Sequence, residues 1–187
     1  MEYPFKKLVL PKELQTQKNG KLPDALLTKI DIGGKMWHWA AASFNLMNAE
    51  AKKADVKLVN IGDYRPYEKI ESLFRSRYKT TDNGRVPQIT RKFEDKTWYL
   101  QKGFSPAAAP DPTGKFGSNH GWGLAIDIDV QNGKVSSWLC KNAPTYGFYL
   151  QGSDPKSGEF ELWHWQYCVG DDLPLPVANL MKFLASK

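Results

Sequence analysis

The chain has 187 residues, with 26 Lys and Arg against 20 Asp and Glu, three His and two Cys. This length fits one domain that can bury a core without disulfides or structural metals. No apolar run is long enough for a transmembrane helix, and the residues after Met1 lack the apolar core of a signal peptide. Cys140 and Cys168 are too few for a disulfide framework, so we expect free thiols, although a pairing stays open.

The charge is distributed unevenly along the chain. From Arg65 to Lys102 there are ten basic and five acidic side chains, whereas Pro106 to Leu173 contains four Lys and eight acids. A basic surface beside an acidic segment suits an anionic polymer held next to a cation-binding site. Nucleic acid and bacterial cell wall are two such polymers.

The first part of the chain predicts two helices and one short strand. Residues 1–35 are punctuated by Pro and Gly and are expected to be irregular. From Trp37 to about Ala54, apolar residues recur at three- and four-residue steps, which predicts a helix. Leu58–Ile61 is predicted as a buried strand, and Pro66 suits the first turn of a second helix.

The second part predicts mainly strands and loops. Residues 80–96 are polar and are expected to form a loop, as are the Pro-, Ala- and Gly-rich residues 103–117. From Leu124 to Val130, apolar side chains alternate with Ala and Asp, which predicts a strand with one polar face. The other expected elements are a strand at Thr97–Gln101, a helix near Val135–Asn142, and strands at Phe148–Gln151 and Phe160–Gln166. Residues 174–187 predict a Pro-rich link with a terminal helix, as in a join to a wall-binding module. The main domain is then expected to span residues 1–173.

Two short motifs hold the residues that can carry chemistry. His120 and Asp127 lie in Ser-x-His-x-x-Gly-x-Ala-x-Asp, and Glu161 and His164 lie in Glu-x-Trp-His. Zinc accepts imidazole and carboxylate ligands in catalytic sites, and a carboxylate outside the ligand set can act as a general base. Glu161 and His164 are three residues apart and would lie on opposite faces of an ideal strand, so a shared site requires a bulge or bend.

In this order, and with every ligand position filled, the motifs resemble those of the zinc D-alanyl-D-alanine carboxypeptidase family. That family includes vancomycin-resistance D,D-peptidases and phage endolysins that cut the L-alanyl-D-glutamate bond. A third family element, Tyr-Arg ahead of a helix, matches Tyr64-Arg65, so the resemblance covers roughly residues 40–168. It implies an α+β fold with a small, mainly antiparallel sheet flanked by helices and a zinc site in a cleft on the sheet face, a D-Ala-D-Ala carboxypeptidase/Hedgehog-like arrangement.

Carried over by position, the resemblance makes His120, Asp127 and His164 the ligands of one zinc ion. Glu161 becomes the base that takes a proton from the attacking water and later protonates the leaving amine. Arg65 would stabilise the oxyanion that develops on the scissile carbonyl. Ser118 would bind substrate or orient a ligand.

Simpler roles remain open for each of these residues. The three ligand candidates could be unrelated polar residues at strand edges, and Glu161 could be one member of an ion pair. Arg65 could pair with Asp63 or Glu68, and Ser118 could be a turn residue before a loop.

The resemblance therefore predicts a zinc-dependent peptidoglycan peptidase, in the first place a phage-type endolysin that cuts L-alanyl-D-glutamate bonds. The alternative is a D-alanyl-D-alanine carboxypeptidase that trims stem-peptide ends. We expect a monomer with bacterial peptidoglycan as its partner, made in the host cytoplasm and acting on the wall after release. A non-catalytic wall-binding module would require a lost ligand or base, and a nucleic-acid binder would require more than a modest basic excess.

Overall fold

The computed structural model describes residues 3–150 and 161–186. Within these ranges the helices and strands are interspersed along the chain, and the strands form three antiparallel sheets. The helices are α1 (Lys12–Gln15), α2 (His38–Lys53), α3 (Tyr67–Arg77), α4 (Gly133–Asn142) and α5 (Leu175–Ala185), with short 3-10 helices at Asp24–Leu26, Asn119–Trp122 and Ala143–Tyr146. The strands are β1 (Leu27–Lys29), β2 (Lys35–Trp37), β3 (Asn60–Gly62), β4 (Tyr78–Lys79), β5 (Thr90–Phe93), β6 (Lys96–Leu100), β7 (Ala125–Ile128), β8 (Phe148–Leu150) and β9 (His164–Tyr167). The predicted α+β class with small antiparallel sheets is confirmed.

The main sheet has the strand order β3-β7-β9-β8, and every neighbouring pair is antiparallel. Leu124, Ile126 and Ile128 are fully buried, as the predicted alternation requires. The same core contains the apolar face of α2, where Phe44 packs edge-on against Phe148 of β8 with ring centroids 5.9 Å apart. Burial of this helix face, rather than helix propensity alone, holds α2 on the sheet.

A second sheet, β4-β6-β5, has its own small core. Phe74 of α3 stacks on Tyr78 at 4.6 Å between centroids and contacts Phe93 and Trp98. The prediction of a loop over residues 80–96 is wrong here, because Thr90–Phe93 forms β5. Its hairpin with β6 turns through Glu94 and Asp95, which both have positive φ, 51° and 57°. Neither residue gives the Gly or Asn signal of such a turn.

The expectation of irregular structure over residues 1–35 is also only partly correct. α1 and the β1-β2 hairpin lie in this segment, and the hairpin reverses at Gly33 and Gly34, which have φ of 85° and 93°. The predicted helix at 37–54 is confirmed as α2. The strand predicted at Leu58–Ile61 lies slightly later, as β3, and its predicted burial is wrong, because β3 is an edge strand on which Ile61 is exposed.

The C-terminal part differs in its boundaries from the prediction. Glu161–Trp163 form a turn, so β9 begins at His164; the expected start of this strand at Phe160, and Gln151 at the end of the preceding one, lie outside the described residues. α5 already begins at Leu175, with Pro174 as its N-cap, and buries Val177 in the core. None of the described helices is both long and apolar enough to cross a lipid bilayer.

Candidate functional site

His120 is held in a fixed orientation by a short 3-10 helix. The Ser118 hydroxyl accepts a hydrogen bond from the His120 backbone N–H at 3.3 Å and caps the helix, which ends at Gly123 with φ of 65°. His120 Nδ1 lies 2.9 Å from the Asp63 carbonyl oxygen. A carbonyl can only accept, so Nδ1 carries the proton and Nε2 presents a lone pair to the site.

Asp127 and His164 face each other across two paired strands. They are direct register partners of β7 and β9, and Asp127 is also paired with Gly62 of β3. A Cβ placed on Gly62 would lie 2.6 Å from Asp127 Oδ2, so only glycine allows this close approach. The main sheet therefore fixes both side chains relative to its backbone.

The three predicted ligand residues converge on one point. His164 Nδ1 lies 2.8 Å from Asp127 Oδ1, and His120 Nε2 lies 3.2 Å from both of these atoms. Both imidazoles are buried, and Asp127 is largely buried. Such a convergence of electron-pair donors would be unfavourable without a shared cation.

The donor set fits a zinc ion. Tetrahedral ligands at the usual Zn–N and Zn–O distances are about 3.3 Å apart, close to the observed separations. The carbonyl behind His120 Nδ1 is the kind of hydrogen-bond partner that fixes the tautomer of a ligating histidine. His164 Nε2 is buried and has no hydrogen-bond partner among the described residues, so no such partner fixes the tautomer of His164 in that part of the chain.

The electrostatics of the cluster favour the metal-binding protonation states. Burial lowers the pKa of His120, which keeps the imidazole neutral. Burial alone would raise the pKa of Asp127, but the two adjacent imidazoles of His120 and His164 outweigh it and hold that pKa well below its usual range. At neutral pH the cluster therefore offers a neutral imidazole and an ionised carboxylate.

Glu161 lies in the turn that leads into β9, and this turn resolves the spacing problem noted in the sequence. The His164 backbone N–H donates to the Glu161 carbonyl oxygen at 3.0 Å, closing the turn. Glu161 and the three clustered residues all line one cleft. Glu161 and His164 reach the same cleft because Glu161 precedes the strand, so no bulge within β9 is needed.

Arg65 is joined to the cluster through both its backbone and its side chain. Its N–H donates to the His120 carbonyl oxygen at 3.1 Å, and Nη2 lies 3.5 Å from Asp127 Oδ2. The observed ion-pair partner is thus Asp127, while Asp63 Oδ2 accepts a hydrogen bond from the Asn60 amide. Burial lowers the pKa of Arg65, and the nearby charge of Arg77 lowers it further.

The cleft has a volume of about 650 Å³ and extends well beyond the cluster. Ser118 lines it as well as capping the 3-10 helix. A second cavity of about 440 Å³ lies against four of the same residues: Arg65, Leu73, Arg77 and Asp127. Of the three clustered residues, only Asp127 borders both spaces.

Sequence reasoning missed several residues that shape this site. Arg77 and Arg91 line the cleft, and the buried Asn19 amide donates to the Ser118 carbonyl oxygen at 2.8 Å. Arg77 is the last residue of α3, and helical spacing alone does not connect it with the two motifs. No local signal in the sequence connects Asn19 with a motif that lies 99 residues away.

Comparison with known proteins agrees with the arrangement of the site. The sequence profile of VanY, described as a D-alanyl-D-alanine carboxypeptidase, matches residues 34–171. A comparison with curated protein sequences gave no significant match.

Several solved structures share the fold. VanYB in complex with D-alanine–D-alanine has a TM-score of 0.56 and 17% identity, covering 96% of this chain and 97% of that chain. A mutant of the vancomycin resistance D,D-pentapeptidase VanY from a VanB-type cassette, in complex with Zn(II), has a TM-score of 0.53 and 20% identity, covering 79% and 82%. The LdcB LD-carboxypeptidase has a TM-score of 0.56 and 19% identity, covering 88% and 76%.

The family match extends over most of the chain and includes both motifs. It confirms the resemblance drawn from the motifs and the prediction of a peptidase. The predicted zinc cofactor is consistent with the donor set described above and with the Zn(II) bound by one structural relative. The chain belongs to the VanY D-alanyl-D-alanine carboxypeptidase family.

Proposed function

We propose that this peptidoglycan peptidase is a zinc-dependent endopeptidase that cuts the L-alanyl-D-glutamate bond of stem peptides, as phage-type endolysins do. The observation that carries the proposal is the extent of the cleft beyond the cluster. An endopeptidase must accommodate chain before and after the scissile bond, whereas a carboxypeptidase needs only a closed pocket beyond it. The cleft of about 650 Å³ continues from the cluster to Ser105 and Phe116, and a cavity of about 440 Å³ adjoins it at Asp127, which supports the proposal.

His120, Asp127 and His164 would hold the zinc ion in this enzyme. When bound, zinc lowers the pKa of a coordinated water and polarises a carbonyl group. The remaining chemistry falls to residues of the chain. The Glu161 carboxylate would accept a proton from the attacking water and return it to the leaving amine, which keeps the proton balance over the cycle.

Arg65 and Ser118 would act on the substrate rather than on the water. The guanidinium of Arg65 is partly buried beside Asp127, so its positive charge is poorly screened where the carbonyl oxygen becomes negative. The Ser118 hydroxyl already accepts from His120 N–H, and its own proton can be donated to a substrate carbonyl.

A second activity, D,D-carboxypeptidase cleavage of terminal D-alanine, is favoured by a different observation. The matching family is described by this activity, and one structural relative is a complex with D-alanine–D-alanine. The two activities share the metal, the base and the oxyanion group. They differ in whether the chain continues beyond the residue on the leaving side.

Digestion of purified peptidoglycan, followed by mass spectrometry of the products, separates the two activities. We expect new N-terminal D-glutamate and free C-terminal L-alanine with zinc supplied. Release of D-alanine alone would instead establish the carboxypeptidase.

The role of Glu161 is tested in the same assay. General-base catalysis contributes about 10²- to 10⁴-fold, so Glu161→Gln should lower kcat by that factor with zinc content unchanged. Asp129→Asn is the matched control, because Asp129 lies just beyond β7 and its carboxylate accepts only from Gln131 N–H in the contacts described. A Glu161→Gln enzyme as active as Asp129→Asn would refute the assignment.

A further inference from the structure

The cleft carries more positive charge than the catalytic residues need. The described lining residues include three arginines, Arg65, Arg77 and Arg91, against two acidic residues, Asp127 and Glu161. A zinc ion would add two further positive charges. A cleft with this balance concentrates anionic groups, so a substrate with a negative charge near the scissile bond is favoured.

Arg77 is the best placed of these arginines to bind such a group. It is the last residue of α3, and its Nη1 donates to the carbonyl oxygens of Ser105 and Pro106 at 3.1 and 3.3 Å. These two bonds fix the plane of the guanidinium before substrate binds. Arg77 also lines both the main cleft and the adjoining cavity, as Arg65 and Asp127 do.

Peptidoglycan chemistry provides a matching anion. In the stem peptide, D-glutamate continues through its γ-carboxyl group, so its α-carboxylate is free and is attached to the carbon next to the scissile nitrogen. The terminal carboxylate of D-alanyl-D-alanine occupies the same position relative to its own scissile bond. Both substrates therefore present a carboxylate one carbon from the leaving amine.

We propose that Arg77 binds this α-carboxylate on the leaving side of the scissile bond and so selects substrates with a free carboxylate there, while Arg91 adds to the local positive charge. The inference rests on the proposed peptidase function. A planar, pre-oriented guanidinium binds a carboxylate through two parallel hydrogen bonds, which a carboxamide cannot match.

A pair of synthetic muramyl-free stem peptides tests the inference, one with D-glutamate and one with its α-carboxamide, D-isoglutamine. Charge-assisted hydrogen bonds predict that the wild type prefers the carboxylate by about ten- to a hundredfold in kcat/KM. Arg77→Gln should reduce this ratio to near unity, mainly through a higher KM for the carboxylate peptide. Arg77→Lys, which keeps the charge without the fork, should give an intermediate ratio and serves as the second variant if Arg77→Gln does not fold.

Arg85→Gln is the matched control. The Arg85 guanidinium also donates from Nη1 to two backbone carbonyls, those of Gln101 and Phe104, but it lines neither cavity. This control should keep the wild-type ratio. A wild type without preference for the carboxylate, or folded Arg77 variants with an unchanged ratio, would overturn the inference.

Failure of the endopeptidase proposal gives a different result. If neither stem peptide is cut between L-alanine and D-glutamate while D-alanine is released from a pentapeptide, the proposed bond is wrong. The same ratio is then measured with D-alanyl-D-alanine and D-alanyl-D-alaninamide ends. A fall of the carboxylate-to-carboxamide ratio of kcat/KM to near unity in Arg77→Gln would support the inference, and an unchanged ratio would overturn it.

Discussion

The two larger sheets of the molecule differ in how they are built and in what they bring to the site. The β3-β7-β9-β8 sheet shares the main core with α2 and presents Asp127 and His164 from paired positions. The β4-β6-β5 sheet has a separate core of five buried residues. Its strand β5 and the preceding helix α3 bring Arg91 and Arg77 to the cleft.

This difference separates the requirements of chemistry from those of recognition. Metal ligands must keep their separations to within a few tenths of an ångström, and a continuous close-packed core provides that rigidity. An arginine that binds a carboxylate needs its positive charge and a fixed orientation of its guanidinium. For Arg77, the carbonyl oxygens of Ser105 and Pro106 already fix that orientation. The smaller sheet can therefore lose stability without loss of the metal site.

Paired core substitutions test this independence and have the largest expected effect. Phe44 and Phe74 are both fully buried, one in each core, and truncation of either to Ala should cost about 3–5 kcal/mol. Phe44→Ala should lower hydrogen-exchange protection throughout the chain. Phe74→Ala should lower it in β5 and β6 while β7 and β9 remain protected.

Zinc content and activity extend the same test. Phe74→Ala should retain zinc but lose peptidase activity, because the wall that carries Arg77 and Arg91 is displaced. Equal loss of protection in β7 and β9 in this variant would show that the two sheets unfold as one unit. The conclusion that the two sheets are independently stable would then be wrong.

A glycine substitution affects the metal site while leaving both cores intact. Gly62 lacks a positive φ, so Gly62→Ala is not strained by its backbone, but the new Cβ would lie 2.6 Å from Asp127 Oδ2. Displacement of that carboxylate should weaken zinc binding by about ten- to a hundredfold. Competition titration with a chelator measures the change. Gly133→Ala, where a Cβ meets nothing within 4 Å, is the control, and equal zinc affinity of the two variants would contradict the argument.

The sequence predicted the larger sheet much better than the smaller one, for identifiable physical reasons. Alternation from Leu124 to Val130 produces a buried face that only one strand register satisfies, and the motif glycines locate His120 beside that strand. β5 was missed because its turn contains no Gly or Asn and places Glu94, a residue type that rarely has positive φ, in that conformation. Recognition of Arg77 in the cleft was not possible from helical spacing, since its position depends on how residues 105 and 106 fold onto the end of α3.

The Glu161–His164 segment shows the same limit on a shorter scale. Both residues were predicted for the site, yet a strand through them would have placed them on opposite faces. The residue types fix the chemistry of the motif, whereas the change from turn to strand at His164 depends on pairing with β7, a long-range contact.

The two cysteines test the comparison without any change to the cores, and they have the smallest expected effect. Both thiols are free; Cys168 is buried, and burial raises its pKa to about 12, whereas Cys140 is half-buried. Because the thiolate is the reactive form, iodoacetamide at pH 8 should label Cys140 first and Cys168 only when the main core opens. In Phe74→Ala the labelling of Cys168 should stay slow, and in Phe44→Ala it should accelerate with global unfolding. Fast labelling of Cys168 in Phe74→Ala would mean that the smaller sheet supports the main core, contrary to the division drawn above.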